Sequence, residues 1–423
     1  MSPKSMTSPT ITSLVRDGRP TRWLHHAARA SLFTRLARLT AGALRVIDVD
    51  GEHRFGRVSP GFPRPVTIEI LDPRAYVAAV LGGTLGIGEQ YVDGTWTCDD
   101  LPTLTQLMVR DRAVMQLLER GLATAARPLR RARALFDRNS RAGSRRNIAA
   151  HYDLGNDFFQ LFLDETMTYS SALYADPTMT LAAAQIAKYD RLCQLLRLRA
   201  ADHVVEIGTG WGGFAIHAAS TYGCRVTTTT ISRRQHAEAS ARVAARGLAD
   251  RITVRRDDYR DLRGSYDKLV SIEMIEAVGR DHLPTFLGTI QRLLRPDGEA
   301  AVQAIVISDQ DFERAAGETD FIKRHIFPGS CIPSVTALLQ AATAGSDLRL
   351  RQLDDLTPHY ATTLAEWRRR LSANHADARA LGVDEPTLRA WDYYLAYCEG
   401  GFRQRYLGCV HLHLVRPDWR PPA

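Results

Sequence analysis

The sequence predicts an α/β protein: a doubly wound, largely parallel sheet in the C-terminal part, preceded by a smaller, mostly helical domain. Three observations predict it. From about residue 183 onward, apolar strand-like runs alternate with amphipathic helical stretches. The stretch "VVEIGTGWGGFAIHAA", residues 204–219, passes from an apolar strand through four glycines into a helix. Between the two parts lies "RPLRRARALFDRNSRAGSRR", residues 127–146, where eight arginines stand against one aspartate. Such a segment reads as an exposed connector. The expected organisation is an N-terminal domain over 1–126, an arginine-rich linker over 127–146 and a C-terminal domain over 147–423.

The elements follow in order. In "RWLHHAARASLFTRLARL", residues 22–39, Trp23, Leu24, Leu32, Phe33, Leu36 and Leu39 fall on one face of a helix. That face suits a membrane surface, or equally the interior of its own domain. Residues 42–70 read as short strands, with Asp50-Gly51 as a hairpin signal. Residues 73–124 are mostly helical, interrupted by the glycines of "LGGTLGIGEQYVDGTW". Helices are then expected over 182–198, 212–220, 233–247 and 283–294, and strands over 203–208, 224–231, 252–258, 266–274 and 298–307. Right-handed crossovers between parallel strands put a ligand site at their carboxyl ends, where the glycine turn sits.

Composition narrows the class. With 423 residues and 45% apolar content, the chain can build a substantial core. No uninterrupted apolar run approaches the roughly 18 residues of a spanning helix. The first twenty residues lack the apolar stretch of a secretory signal, so a cytoplasmic protein is expected. Six cysteines without CxxC spacing suggest neither a metal site nor a disulfide framework. A net charge of +8 favours anionic partners, either nucleic acid or an anionic membrane surface. No aromatic residues alternate with the arginines of 127–146, so a base-stacking platform, and with it nucleic acid, is not expected.

The glycine turn matches GxGxxG through Gly208, Gly210 and Gly213, a weak signal by itself. A dinucleotide site also wants a carboxylate at the end of the next strand, which here is "CRVTTTTIS". The Walker lysine is absent as well. Glu206 lies two residues before the first glycine. A carboxylate there repels a pyrophosphate and attracts a sulfonium or ammonium group, unless it only caps the following helix. This points to S-adenosylmethionine (SAM). Asp257, Asp258 and Tyr259 end a further strand and offer a hydrogen bond and a ring to an adenine.

At these residues the chain resembles the class I SAM-dependent methyltransferases, and more closely the cyclopropane-fatty-acyl-phospholipid synthase family, which includes mycolic acid cyclopropane synthases. The resemblance spans about residues 80–415. It is carried in order by "LGIGEQYVDGTW", "NIAAHYDLGNDFFQLFLDETMTYSSALY", "VVEIGTGWGG", "TISRRQHAEA", "IEMIEAVG", "FIKRHIFPGSCIPS" and "YCEGGFRQRYLG". It implies a Rossmann-like methyltransferase fold and SAM contacts at Tyr169, Ser170, Gly208, Gly210, Thr230, Gln235 and Tyr259, beside Glu206 and Asp258. It also implies a bicarbonate ion acting as base, held by Glu276 in "IEMIEAVG", Tyr360 in "PHYATTL", Ser171 in "YSSA" and Gln303 in "VQAI". At 171 and 303 well-known members carry Cys and His, and Ala277 likewise replaces a common His. Serine and glutamine still hydrogen-bond an anion, but glutamine does not titrate.

The implied reaction transfers a methylene from SAM to the cis double bond of an unsaturated phospholipid acyl chain, giving a cyclopropane. Methyl transfer leaves a carbocation, which wants aromatic or anionic neighbours and no water. Tyr169, Phe158, Phe159 and Tyr360 are candidate walls. Phe158–Leu163 and Phe321–Phe327 are candidate linings of an acyl tunnel, or ordinary core. Glu276 is expected to orient the base rather than to take the proton. The basic N-terminal domain and the arginine connector would bring the enzyme to the inner face of an anionic membrane as a peripheral protein. The resemblance also suggests a homodimer through that domain. Alternatives are C-methylation giving methylene- or methyl-branched chains, amine methylation, and a non-catalytic lipid binder.

Overall fold

The computed structural model describes residues 22–119 and 154–421. The arginine-rich 127–146 stretch and the first residues of "NIAAHYDLGN" lie outside them. The described residues form two compact units: 22–100 with 111–119, and 101–110 with 154–421.

In the first unit, strands β1 (Ala43–Asp48), β2 (Gly51–Gly56), β3 (Val66–Ile70) and β4 (Trp96–Cys98) form a sheet in the order β2-β1-β3-β4. The expected hairpin joins β1 to β2, with Gly51 at φ +119° supplying the left-handed turn residue. The Arg22–Leu36 helix packs on its own unit. Phe33 meets Phe55 and Tyr76 with ring centroids 5.0 and 5.9 Å apart, and Leu36 is buried. Of its apolar face only Trp23 is largely free, at 67% exposure, so the interior alternative describes this helix.

The Leu101–Arg110 helix, expected within the N-terminal domain, belongs to the second unit. It lies close against the Glu385–Arg403 helix: a Cβ added at Gly400 would lie 2.6 Å from Thr105. The second unit is built on seven strands: β5 (His203–Ile207), β6 (Arg225–Thr229), β7 (Ile252–Arg255), β8 (Tyr266–Ile272), β9 (Leu294–Ile307), β10 (Arg349–Asp355) and β11 (Leu407–Val415). Their order is β10-β11-β9-β8-β5-β6-β7. The pairs β5/β6, β6/β7, β5/β8 and β8/β9 are parallel, as the alternating pattern requires. β11 runs antiparallel to both β9 and β10.

Side chains alternate between the two faces, so each strand serves two cores. Val204, Val226 and Val270 join Leu192 and Phe214 under the Leu181–Leu195 and Gly213–Tyr222 helices. Val205, Ile207 and Leu269 join Phe286, Leu293 and Leu338 under the Leu283–Leu293 and Val335–Gly345 helices. A sheet covered on both faces leaves its carboxyl-end rim as the place where polar side chains converge.

Candidate active site

At the carboxyl ends of β5, β6 and β8 opens a cavity of about 280 Å³. Its cofactor end is built by the glycine turn. The N–H groups of Gly208 and Thr209 both donate to the carbonyl of Thr229, folding the turn back on β6. Gly208 has φ +101°, and a Cβ there would lie 2.3 Å from Cγ of Met274, so no other residue fits. A Cβ added at Gly210, whose φ is +53°, would meet no atom within 4 Å, so this position borders open space.

Glu206 is buried at the end of β5 and lines the cavity. Its Oε2 accepts from the Thr228 hydroxyl at 2.6 Å, and Thr228 meets the Thr209 hydroxyl at 2.7 Å. Burial pushes its pKa up to about 8, against the Thr228 hydrogen bond and the Lys188 charge, which pull it down. A buried carboxylate held near neutrality beside an open left-handed turn fits a cationic ligand group such as a sulfonium. The threonines of β6 thus have a local reason: they form the polar wall beside that carboxylate.

Thr230 donates to Oε1 of Gln235 at 2.8 Å, and Gln235 stands at the first turn of the Arg233–Ala245 helix, whose cap is Ser232. Both line the cavity, as do Asp258 and Tyr259. The carboxylate of Asp258 is already engaged by the Arg260 guanidinium at 2.6 and 2.8 Å. The Tyr259 ring sits edge-on to Phe286 at 5.3 Å.

At the other end of the cavity, Tyr169 packs against Trp367 with centroids 5.1 Å apart and pairs hydroxyls with Tyr394 at 2.9 Å. Ser170 Oγ accepts from Lys188 Nζ at 2.7 Å. Lys188 is fully buried, which lowers its pKa to about 8, while the Glu273 charge works the other way. Glu273 follows β8 directly and adopts φ +50°, an uncommon conformation for a residue with a side chain. Its Oε1 accepts from the Ser171 N–H at 2.8 Å and from Gln303 Nε2 at 2.7 Å, and its Oε2 accepts from the Tyr360 hydroxyl at 2.7 Å.

The description "Mycolic acid cyclopropane synthetase" matches residues 139–412. The chain belongs to that family. Tuberculostearic acid methyltransferase UfaA1 of Mycobacterium tuberculosis is 39% identical to it over 401 residues, covering 92% of each chain. The cyclopropane-fatty-acyl-phospholipid synthase of Escherichia coli K12 is 34% identical over 342 residues, covering 81% of this chain and 85% of its own. The solved mycolic acid cyclopropane synthase CmaA1, complexed with SAH and CTAB, has a TM-score of 0.60 at 30% identity, covering 64% of this chain and 98% of that one. The fold is accordingly that of a class I SAM-dependent methyltransferase, and the chain is a SAM-dependent lipid methyltransferase of the cyclopropane synthase type.

The residues expected from the sequence to hold an anion divide into a cluster and a neighbour. Ser171, Gln303 and Tyr360 do converge, but on the carboxylate of Glu273, which the sequence reading overlooked. Two donors expected to hold bicarbonate, the Gln303 amide and the Tyr360 hydroxyl, donate to the Glu273 carboxyl group. Ser171 contributes its backbone N–H; its hydroxyl turns away to the carbonyl of Ala172 at 3.1 Å. Glu276 is a neighbour rather than a member of the cluster. Its Oε1 accepts from the Ile305 N–H at 2.5 Å, and its buried Oε2 has no hydrogen-bond partner among the described residues. Burial first, then the Glu273 charge, raise its pKa to about 8.

Two further residues escaped the sequence reading. His411 lies opposite Gln303 in the β11/β9 register, and its Nε2 is 2.9 Å from Gln303 Oε1. Burial drives its pKa down to about 3, so it is neutral. A neutral His411 donating from Nε2 turns the Gln303 amide so that Nε2 faces Glu273. The second is Lys188, the buried cation behind Ser170.

The candidate apolar linings divide. Phe158, Phe159 and Phe162 have no exposed surface and stand behind the cavity wall, with Phe159 5.4 Å from Tyr169. They are core. Ile322 and Phe327 line the cavity.

Proposed function

We propose that the protein transfers a methyl carbon from SAM to the double bond of an unsaturated acyl chain of a membrane phospholipid. The observation that carries this reading is one continuous cavity joining the Glu206–Gly210 turn to the Glu273–Tyr360 pair. SAM supplies an electrophilic methyl, which an isolated alkene attacks only when it is aligned and dry. The chain's own residues provide both conditions. Glu206 holds the cationic end of the cofactor. Gly208 and Gly210 keep side chains out of its path, and Thr230, Gln235, Asp258 and Tyr259 border the nucleoside end. Tyr169 and Ser170 close over it from the preceding segment. Tyr169, Phe327 and Tyr394 give the reacting alkene an aromatic surround, whose faces favour a developing cation by about 0.5 to 2 kcal/mol.

A product branched by methylene or methyl is supported by the relative that covers 92% of both chains, which is named a methyltransferase. A cyclopropane product, the outcome the sequence reading favoured, is supported by the Escherichia coli relative and by CmaA1, both named as cyclopropane synthases. Peripheral attachment through residues 1–126 and the 127–146 arginines rests on the net charge of +8 and the run of arginines.

Product analysis tests the reading. The protein is incubated with methyl-labelled SAM and vesicles of an anionic monounsaturated phospholipid, and released fatty acids are weighed by mass spectrometry before and after mild hydrogenation. A gain of one CH₂ that then takes up hydrogen means a methylene or methylated alkene. The same gain resisting hydrogenation means a cyclopropane. No label in any lipid would sink the proposal.

A further inference from the structure

We infer that Glu273 is the base of the reaction, a carboxylate built into the chain where the sequence reading expected a bound bicarbonate. The inference rests on the proposed methyl transfer and names the group that completes it.

Four donors converge on this carboxylate: the Ser171 N–H, Gln303 Nε2 and, at 3.9 Å, the weak Cys409 thiol on Oε1, and the Tyr360 hydroxyl on Oε2. A carboxylate has about four lone-pair sites, two on each oxygen. Oε1 is therefore fully subscribed, and Oε2 keeps one site. Glu273 lines the cavity, as do Tyr360 and the SAM turn. The free site of Oε2 is the acceptor available to a proton released there.

Charge distribution favours the same group. Glu276 is buried and Glu273 partly buried, and the Glu273 charge works against ionisation of Glu276. Glu276 is supported by the Ile305 N–H and its own backbone N–H; Glu273 has four donors, and the Lys188 charge favours its ionised form. Burial raises the pKa of both groups; its donors and the Lys188 charge pull that of Glu273 back down, so of the two Glu273 is the better placed to carry the negative charge. The left-handed backbone at Glu273 is the cost of this placement, since it aims a side chain from the rim of β8 into the donor cluster.

The step balances as follows. After the alkene has gained the methyl carbon, the adjacent chain carbon is cationic. A C–H bond of the added methyl breaks, and the proton goes to Oε2 of Glu273, which becomes a neutral carboxylic acid. The C–H electron pair either closes the three-membered ring or, after a hydride has moved between the two chain carbons, forms a methylene double bond. No co-reactant beyond the acyl chain and SAM is needed.

The test uses the full-length protein in CO₂-free buffer, with and without added bicarbonate. Wild type should turn over at the same rate in both, within twofold. Glu273→Gly should lose roughly 10²- to 10⁴-fold, and added bicarbonate should restore at least tenfold, because the vacated space keeps the Tyr360, Gln303 and Ser171 donors. Glycine also accepts the left-handed backbone, so this variant should fold and bind SAM like wild type. Glu273→Gln, which fills the space without a basic oxygen, should stay inactive in both buffers. A binding readout separates this inference from the proposed lipid reaction: ¹³C-bicarbonate NMR should report no bound ion in wild type and a bound ion in Glu273→Gly. Bicarbonate bound to wild type, wild-type turnover that stops without bicarbonate, or a Glu273→Gln variant above a tenth of wild-type rate would each overturn it.

Discussion

The hydroxyl of Tyr360 donates to Oε2 of Glu273 across 2.7 Å, tying the Thr357–Ala373 helix to the carboxyl end of β8. Tyr360 is itself buried and stacks on Phe402 with centroids 4.4 Å apart, so the donor is held in place by packing on its ring. Removing it leaves the ring contacts and takes away one hydrogen bond to a charged group, worth about 1.5 to 3 kcal/mol. Tyr360→Phe should lower kcat by roughly ten- to a hundredfold with little change in SAM affinity. The Glu273 carboxylate loses support for its charged form, so the acidic limb of the pH–rate profile should move to higher pH. An unmoved limb would mean that Glu273 does not titrate in the reaction.

Glu206, with its pKa near 8 in the ligand-free protein, is mostly protonated at pH 7. A cation seated beside it favours the carboxylate. SAM binding at pH 7 should therefore release close to one proton, and affinity should fall as pH drops below 8. Calorimetry in two buffers of different ionisation enthalpy measures the release. Glu206→Gln should abolish it and weaken SAM about ten- to a hundredfold. Equal heats in both buffers would contradict a Glu206–cation contact.

The same buried carboxylates set the stability profile of the ligand-free protein. Glu206 and Glu276 have folded pKa values near 8 against an ordinary value of 4.5. The folded state holds protons that the unfolded state has lost, so stability falls as pH rises through that window. The loss amounts to at most about 1.4 kcal/mol per pH unit for each group. His411 works in the opposite sense below pH 6.5, because the unfolded chain protonates it first. Thermal melts should show a falling Tm between pH 6.5 and 8, with a shallower fall when SAM is bound. A flat or rising ligand-free profile would show that these carboxylates ionise without penalty.

Gly208→Ala should cost about 3 kcal/mol or more, from the left-handed backbone and the overlap with Met274 together. Met274→Ala in the same chain should recover the overlap part but not the backbone part. Denaturant unfolding of the two single variants and the double variant measures that coupling.

Much of this architecture was legible in the sequence because parallel strands buried on both faces announce themselves as apolar runs. "HVVEIG" and "YDKLVSIEM" are of that kind, and the glycine turn with Glu206 follows from where the first one ends. β10 and β11 were not read. "RLRQLDD" carries four charges in seven residues, and "LGCVHLHLV" hides two histidines that are buried only because β11 lies between two neighbours. The site was read in outline and missed at its centre. In "IEMIEAVG" the two glutamates stand three residues apart and nothing local ranks them. The choice is made by a positive φ at residue 273 and by donors from residues 171, 303 and 360, which only the folded sheet brings together. Ser171 was chosen for a hydroxyl that turns elsewhere; its backbone N–H, which every residue but proline carries, makes the contact.

The position of β11 has a further consequence for when the protein becomes active during its synthesis. This strand is made after all the others, yet it lies between β9 and β10, and β10 pairs with it among the described strands. A nascent chain that has emerged only as far as β10 holds the SAM turn and Glu273 but lacks both Tyr360 and His411, so Glu273 lacks its Tyr360 donor and the Gln303 carbonyl lacks its partner. Insertion of the last strand completes the sheet and brings His411 to Gln303. A product that stops short of β11 therefore leaves β10 without the strand it pairs with and Gln303 without its His411 contact.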